Sequence, residues 1–222
     1  MPELAETIAE ANRLGAEASV QPENVPAVLF RLLEMLHAQS APTVLDAVIN
    51  ALGCAWDEHA SLAVLPFADH HDDHVRLAVA RVAPSGVESD AAQEAIAAAL
   101  IPLSGDAVED VRDWATFGLG SILDIDSQAV RTALAARLDD AHFDTSCEAL
   151  VGLAKRKDAR AFERTLALLQ EGSVPRLAVA SARALGDSRL VPYLQELQRW
   201  WDVDPSLLAA AIEASEGSKT LE

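Results

Sequence analysis

The chain has 222 residues, half of them hydrophobic and only 5% aromatic, and its acids outnumber its Lys and Arg by 35 to 17, a formal net charge of −18. Such a surface repels polyanions, and phosphate binding needs clustered cations that release counterions, so nucleic acid is excluded as an expected partner. Many Ala and Leu with few aromatics favour close helix packing over a sheet, here in one elongated all-α domain.

The charge is lopsided. Residues 1–110 hold 18 acids against 4 bases, residues 111–222 hold 17 against 13. The acidic half is either a solvated surface or a face for a basic partner. Cys54 and Cys147 are the only cysteines, neither lies in a CxxC pair, and both fall in apolar helical stretches. Core thiols in a reducing compartment are therefore expected, not a disulfide. The first fifteen residues, MPELAETIAEANRLG, lack a basic-then-apolar signal, and nowhere does the chain hold an 18-residue uncharged run. That predicts a cytoplasmic protein without membrane contact.

In chain order, a first helix is predicted over 3–14, with Leu4, Ile8, Ala11 and Leu14 on one stripe and Gly15 as its stop signal. A second spans 26–37 through Val28, Leu29, Leu32, Leu33 and Leu36. Residues 1–40 would then cap the N-terminal end of a stack. From Pro42 a two-helix unit recurs. Its first helix has the template Val-Arg-x-x-Ala-Ala-x-Ala-Leu-Gly, with copies starting at Val44, Val75, Val111, Thr145 and Leu177, spaced 31, 36, 34 and 32 residues apart. A near-fixed period of this size marks a repeat architecture.

Each second helix carries its own stripe: Leu62, Leu65, Phe67; Ile96, Ala99, Leu103; Val130, Leu134, Leu138; Phe162, Leu166, Leu169; Leu190, Leu194, Leu197. Asp126, Asp158 and Asp187 precede the last three second helices as expected N-caps. Asp73 and Asp110 stand just before template helices, with Arg76 and Arg112 close behind. Residues 202–216 form a closing helix through Leu207, Leu208, Ala211 and Ile212, the terminal cap a stacked array requires. The chain should loosen from Ser215, with 217–222 a disordered tail whose Leu221-Glu222 reads as a tag scar.

Val111 and Arg112 opening a helix after Asp110, the small residues Ala115 and Gly118, and Leu119-Gly120 resemble a short HEAT-like repeat of the phycobilisome-lyase type. The resemblance implies a right-handed α-α superhelix, a solenoid of about five helical hairpins over 41–201 between terminal caps. It also implies ladders of Asp and Arg between neighbouring repeats. That superfamily includes lyase and chaperone subunits, iron-binding hydroxylases, DNA glycosylases and adaptors. The hydroxylases use His-Glu dipeptides on paired helices, and this chain has none. The glycosylases bind DNA along a basic concave face, whereas the one basic run here, Lys155, Arg156, Lys157, Arg160 and Arg164, is too small for that. What the resemblance leaves is a protein-binding scaffold or adaptor with an extended acidic surface, not an enzyme, and needing no cofactor. The alternatives are an enzyme-associated or lyase-type subunit holding a small substrate, or a metal-binding protein.

Aligned template columns expose the outliers. The fourth position reads Ala47, Ala78, Trp114, Glu148, Ala180 and the seventh Asn50, Arg81, Phe117, Val151, Arg183. The seventh is mostly polar and so should face water. Only the third copy puts an aromatic pair there, Trp114 and Phe117, three residues apart on one helix surface, with Asp113 adjacent and Val151 of the next copy expected beside them. Because Trp dominates binding hot spots, Trp114, Phe117, Val151 and Asp113 form the candidate partner-binding set. The competing reading has both rings filling a gap left by Gly118 and Gly120.

Of the neighbours Trp200 and Trp201, one should be buried and the other lie toward the rim. The run Asp69-His70-His71-Asp72-Asp73-His74 has metal-ligand residue types, but it sits at a helix junction where Asp72 or Asp73 serves as N-cap, so no metal site is expected. The basic run either caps helix carbonyls or grips an acidic segment. No phosphate loop, nucleophile elbow or Ser-His-Asp set at recognisable spacing appears.

Overall fold

The structure, a computed structural model, describes residues 2–217. The expected tag scar at Leu221-Glu222 lies outside the described residues. Thirteen α-helices and no strands occur among them: α1 (Pro2–Val20), α2 (Val25–Ala38), α3 (Pro42–Gly53), α4 (Glu58–Ala63), α5 (Asp73–Val82), α6 (Asp90–Leu103), α7 (Glu109–Phe117), α8 (Gln128–Ala135), α9 (Phe143–Lys155), α10 (Arg160–Leu169), α11 (Arg176–Leu185), α12 (Val191–Leu197) and α13 (Pro205–Gly217). A five-residue π turn, Gly118–Ile122, succeeds α7. The five template copies are the helices α3, α5, α7, α9 and α11, and each is succeeded in the chain by a second helix. None of the helices is long and apolar enough to cross a membrane.

The described residues fall into two compact units, one running to Gly118 and taking back Ile122–Ile125, the other holding Leu119–Ser121 and the chain from Asp126 onward. In the first unit α1 packs on α3, α3 on α5 and α5 on α7, with α2 against α1 and α3. In the second, α9 packs on α11 and α11 on α13, with α10 against both α9 and α11. The cause is visible along α3, where Val44, Leu45, Val48, Ile49 and Leu52 are all buried. One helix cannot hide such a stripe by itself, and removing each large aliphatic side chain from water stabilises by about 2 kcal/mol.

Four helices differ from the sequence expectation. Gly15 does not stop α1, which runs on to Val20. A Cβ at Gly15 would lie 3.1 Å from Ala51 Cα, so the glycine marks the point where α1 crosses α3. On α10 the buried residues are Ala161, Thr165, Leu168 and Leu169. Small residues there admit α11, and Thr165 Oγ1 meets Ser181 Oγ at 2.7 Å, so Phe162 is displaced toward the surface beneath Arg189. In the first second helix, Ala60, Ser61 and Val64 are buried and Leu62 is exposed. Cys147 is buried, its thiol pushed up to about 11 by that burial, whereas Cys54 is only half-buried. Helix α13 continues through a fully buried Ser215, so the chain is not loose there.

Capping is also partly reassigned. Asp187 accepts from Arg189 N and Asp72 caps α5, but Ser127, not Asp126, caps α8. Asp158 likewise accepts from Arg160 N, at 3.1 Å, and both Asp126 and Asp158 also serve arginine side chains. Arg131 donates to both oxygens of Asp126 at 2.7 Å and reaches Asp158 at 3.4 Å, while Arg160 grips Asp158 at 2.6 and 2.8 Å. A comparable link in the first unit joins Arg76 to Asp106, thirty residues on, through bonds of 2.7 and 3.1 Å. Asp106, rather than Asp110, is the acid of that pair because its carboxylate also accepts Val108 N ahead of α7.

The Arg160 hydrogen bonds hold the Asp158 carboxyl at about 2. Because this lies below the value near 4 of an unfolded chain, the stabilisation is complete above pH ~4 and disappears as pH falls from there toward 2. Asp158→Asn is expected to cost about 2 kcal/mol at pH 7 and progressively less toward pH ~3. Urea unfolding across that range checks it; an equal loss at every pH would contradict the assignment.

Candidate functional site

Template positions three and seven are one helical turn apart and point to one side of the helix. On α3 these are Asp46 and Asn50, on α5 Leu77 and Arg81, on α7 Asp113 and Phe117, with Trp114 next to them. Since α3 packs on α5 and α5 on α7, the pairs form one strip within the first unit. Asn50 Nδ2 donates to Asp46 Oδ1 at 2.9 Å. Burial pushes the Asp46 carboxyl above its ordinary value, opposed by that hydrogen bond and by the nearby charges of His74 and Arg81.

Arg81 lies across to α7, its guanidinium carbon 5.1 Å from the centroid of the Trp114 ring. Phe117 meets the same ring edge-on, with centroids 5.7 Å apart and planes at 87°. Both geometries are attractive for an aromatic quadrupole and fix the indole. Even so, Trp114 remains 37% exposed. The other bases of residues 1–110 are paired with carboxylates: Arg13 with Glu17, Arg31 with Glu10 and Glu34, Arg76 with Asp106. Among these four bases, Arg81 is the one placed over a ring.

A Cβ at Gly118 would meet Leu100 Cδ1 at 2.8 Å and Pro84 Cγ at 3.3 Å, and one at Gly120 would meet Glu148 O at 2.7 Å. Leu100 and Pro84 are thus the nearest neighbours of Gly118, and the α9 backbone that of Gly120. Asp113 is half-buried on the same turn as Trp114. Val151 belongs to the second unit, where only 6% of it is exposed.

The other candidates resolve into structure. Asp72 accepts from His74 N at 3.0 Å and Val75 N at 3.4 Å, His70 Nδ1 accepts from Asp72 N, and Arg76 donates to the carbonyls of His70 and His71. This is a helix start. Among the described residues, Asp72, Asp73 and His74 do bring ligand atoms within 4.8 Å of one another, but the His74 side chain is 76% exposed. In the basic run, Arg156 is buried and donates to Gly152 O and Leu119 O at 2.9 Å; Lys155 reaches Ser121 O at 2.6 Å and Lys157 the Leu185 carbonyl at 3.0 Å. These three cations cap carbonyl ends, and not only that of their own helix, whereas Arg160 grips the Asp158 carboxylate. Trp201 is buried, its indole N–H donating to Val174 O at 2.8 Å, and Trp200 is 47% exposed.

Sequence reasoning missed Trp56. It is 74% exposed and holds a left-handed backbone, φ +46°, a conformation that costs a bulky residue about 1–2 kcal/mol. The loop is clamped to the one between α5 and α6. The Glu58 carboxylate accepts from Glu88 N at 2.9 Å, Ser89 N at 2.7 Å and Ser89 Oγ at 2.9 Å, and Ser61 Oγ donates to Ser85 O. Gly86, at φ +65°, fits only because it has no Cβ, which would come within 2.5 Å of the Trp56 carbonyl carbon. An aromatic in the short junction between Gly53 and the cap Asp57 was the available signal; it lay outside the template columns.

No protein-family model matches the chain. Over 114 residues it is 32% identical to Protein YibA of Escherichia coli, in strains K12 and O157:H7 alike. That stretch is 51% of this chain, and it spans only 40% of the length of those relatives. The X-ray structure of E. coli YibA is similar in fold, with a TM-score of 0.66 at 22% sequence identity, covering 94% of this chain and 82% of that one.

Proposed function

We propose that this protein is a HEAT-like solenoid scaffold, a right-handed α-α superhelix of about five hairpins between capping helices, that holds a basic protein partner on the face of α3, α5 and α7. The observation that carries the reading is Trp114, fixed by Phe117 and Arg81 yet exposed, on a strip that also holds Asp46, Asn50, Leu77 and Asp113. An anchored aromatic within a polar rim is the composition of a binding hot spot. Stacked helices supply a preorganised surface, so little freedom is lost on docking. Acidic surroundings raise the association rate of a basic partner and lose that effect in salt. The repeat reading draws support from the serial packing of first helices inside each unit. The role is that of a cytoplasmic adaptor, neither catalytic nor cofactor-dependent. Affinity capture from the native host at low and at high salt tests it. The wild-type chain should retain a basic protein at low salt only, and Trp114→Ser/Phe117→Ser should retain none; equal capture by both forms contradicts the proposal.

A further inference from the structure

We infer that Trp56 is a second contact point, separate from the α3, α5 and α7 face, whose ring takes the guanidinium or ammonium group of a basic partner segment. Aromatic rings in this protein already carry arginines: Arg81 lies over Trp114, and Arg189 over Phe162 at 3.7 Å. Trp56 is the most exposed of the described tryptophans, and its own sequence neighbourhood has no cation to offer. No Lys or Arg occurs between Arg31 and Arg76, nor between Arg81 and Arg112. The two clamped loops instead contribute Asp57, Glu58, Glu88 and Asp90. In a half of the chain with 18 acids against 4 bases, the field draws cations toward an uncovered indole face, where desolvated cation–π contacts are favourable.

The backbone points the same way. A left-handed turn is at ease with Asn or Gly, and a tryptophan there gains nothing from burial. The Glu58 clamp and the Gly86 contact hold the loop in place before any ligand arrives, so docking onto it orders little. The observation is independent of Trp114, and either site can fail without the other.

A fluorescein-labelled peptide, Gly-Arg-Gly-Arg-Gly-Arg-Gly, and its citrulline counterpart serve as probes in anisotropy titrations at low salt. The wild-type chain should bind the arginine peptide and bind the uncharged one much more weakly. Trp56→Asn should weaken arginine-peptide binding about fivefold while its Tm stays equal or rises, and Trp200→Ser, at another exposed tryptophan, should leave that binding unchanged. No binding by the wild type, equal binding of the citrulline peptide, equal binding by Trp56→Asn, or a loss that tracks Trp200→Ser instead would each overturn the inference. A Tm lowered by Trp56→Asn would likewise make the ring structural.

Discussion

Gly152→Ala is expected to destabilise the second unit by about 3 kcal/mol, toward the upper end of what overpacking a helix contact costs. Gly152 lies in α9, and a Cβ there would come within 2.5 Å of Gly120 Cα and 2.9 Å of Leu134 Cδ1. The first obstacle is backbone, so no rotamer change relieves it. Nor can the helix slide freely, because the Gly152 carbonyl accepts from Arg156, which also holds the Leu119 carbonyl of the π turn. Alanine's better helix propensity, worth under about 1 kcal/mol, opposes the clash and does not cancel it. The Tm should fall by roughly 8 °C. Gly172→Ala is the control, since nothing stands within 4 Å of its Cβ, and stability should hold or rise slightly. Denaturation of both variants decides: a Gly152→Ala protein within about 0.5 kcal/mol of the wild type, on the order of a surface substitution, would mean the close crossing is not there.

Trp114→Ser/Phe117→Ser is expected to weaken the captured partner about 100-fold, the scale of a hot-spot pair, while changing stability by only about 1 kcal/mol. The separation of the two effects comes from where the rings lie. Trp114 is 37% exposed and its contacts are lateral, with Phe117 and Arg81, so serine exposes little new core. The helix beneath is held by Val111 and Ala115, both at 0% exposure, which the variant leaves intact. Partner titration alongside urea unfolding reads both numbers. Loss of several kcal/mol in stability would place the rings in the core and remove the argument for docking.

How much of this was legible in the sequence depends on the kind of contact. The first helices were readable because Val44, Val75 and Val111 recur with their apolar stripe, and all three are fully buried. The pairing of Trp200 and Trp201, one in and one out, came from helix geometry alone. Gly15 was misread because a glycine at a backbone crossing and a glycine past a helix end look alike without the neighbouring helix, here Ala51 of α3. On α10, hydrophobicity favoured Phe162 and Leu166, while burial went to Ala161 and Thr165, whose small size suits close approach to α11. Column alignment singled out Trp114 and Phe117, but the Arg81 contact that fixes the indole joins α5 to α7, and one sequence does not register one helix against the next. Trp56 escaped because junction residues have no column, and backbone φ leaves no mark on composition.

Photo-crosslinking inside the native host addresses the docking face most directly. Benzoylphenylalanine replacing Arg81, an exposed position at the middle of the α3, α5 and α7 strip, is predicted to give an adduct with one basic protein. The same group replacing Glu171, exposed in the second unit, is predicted to give none with that protein. An adduct formed from position 171 and absent from position 81 would contradict the account.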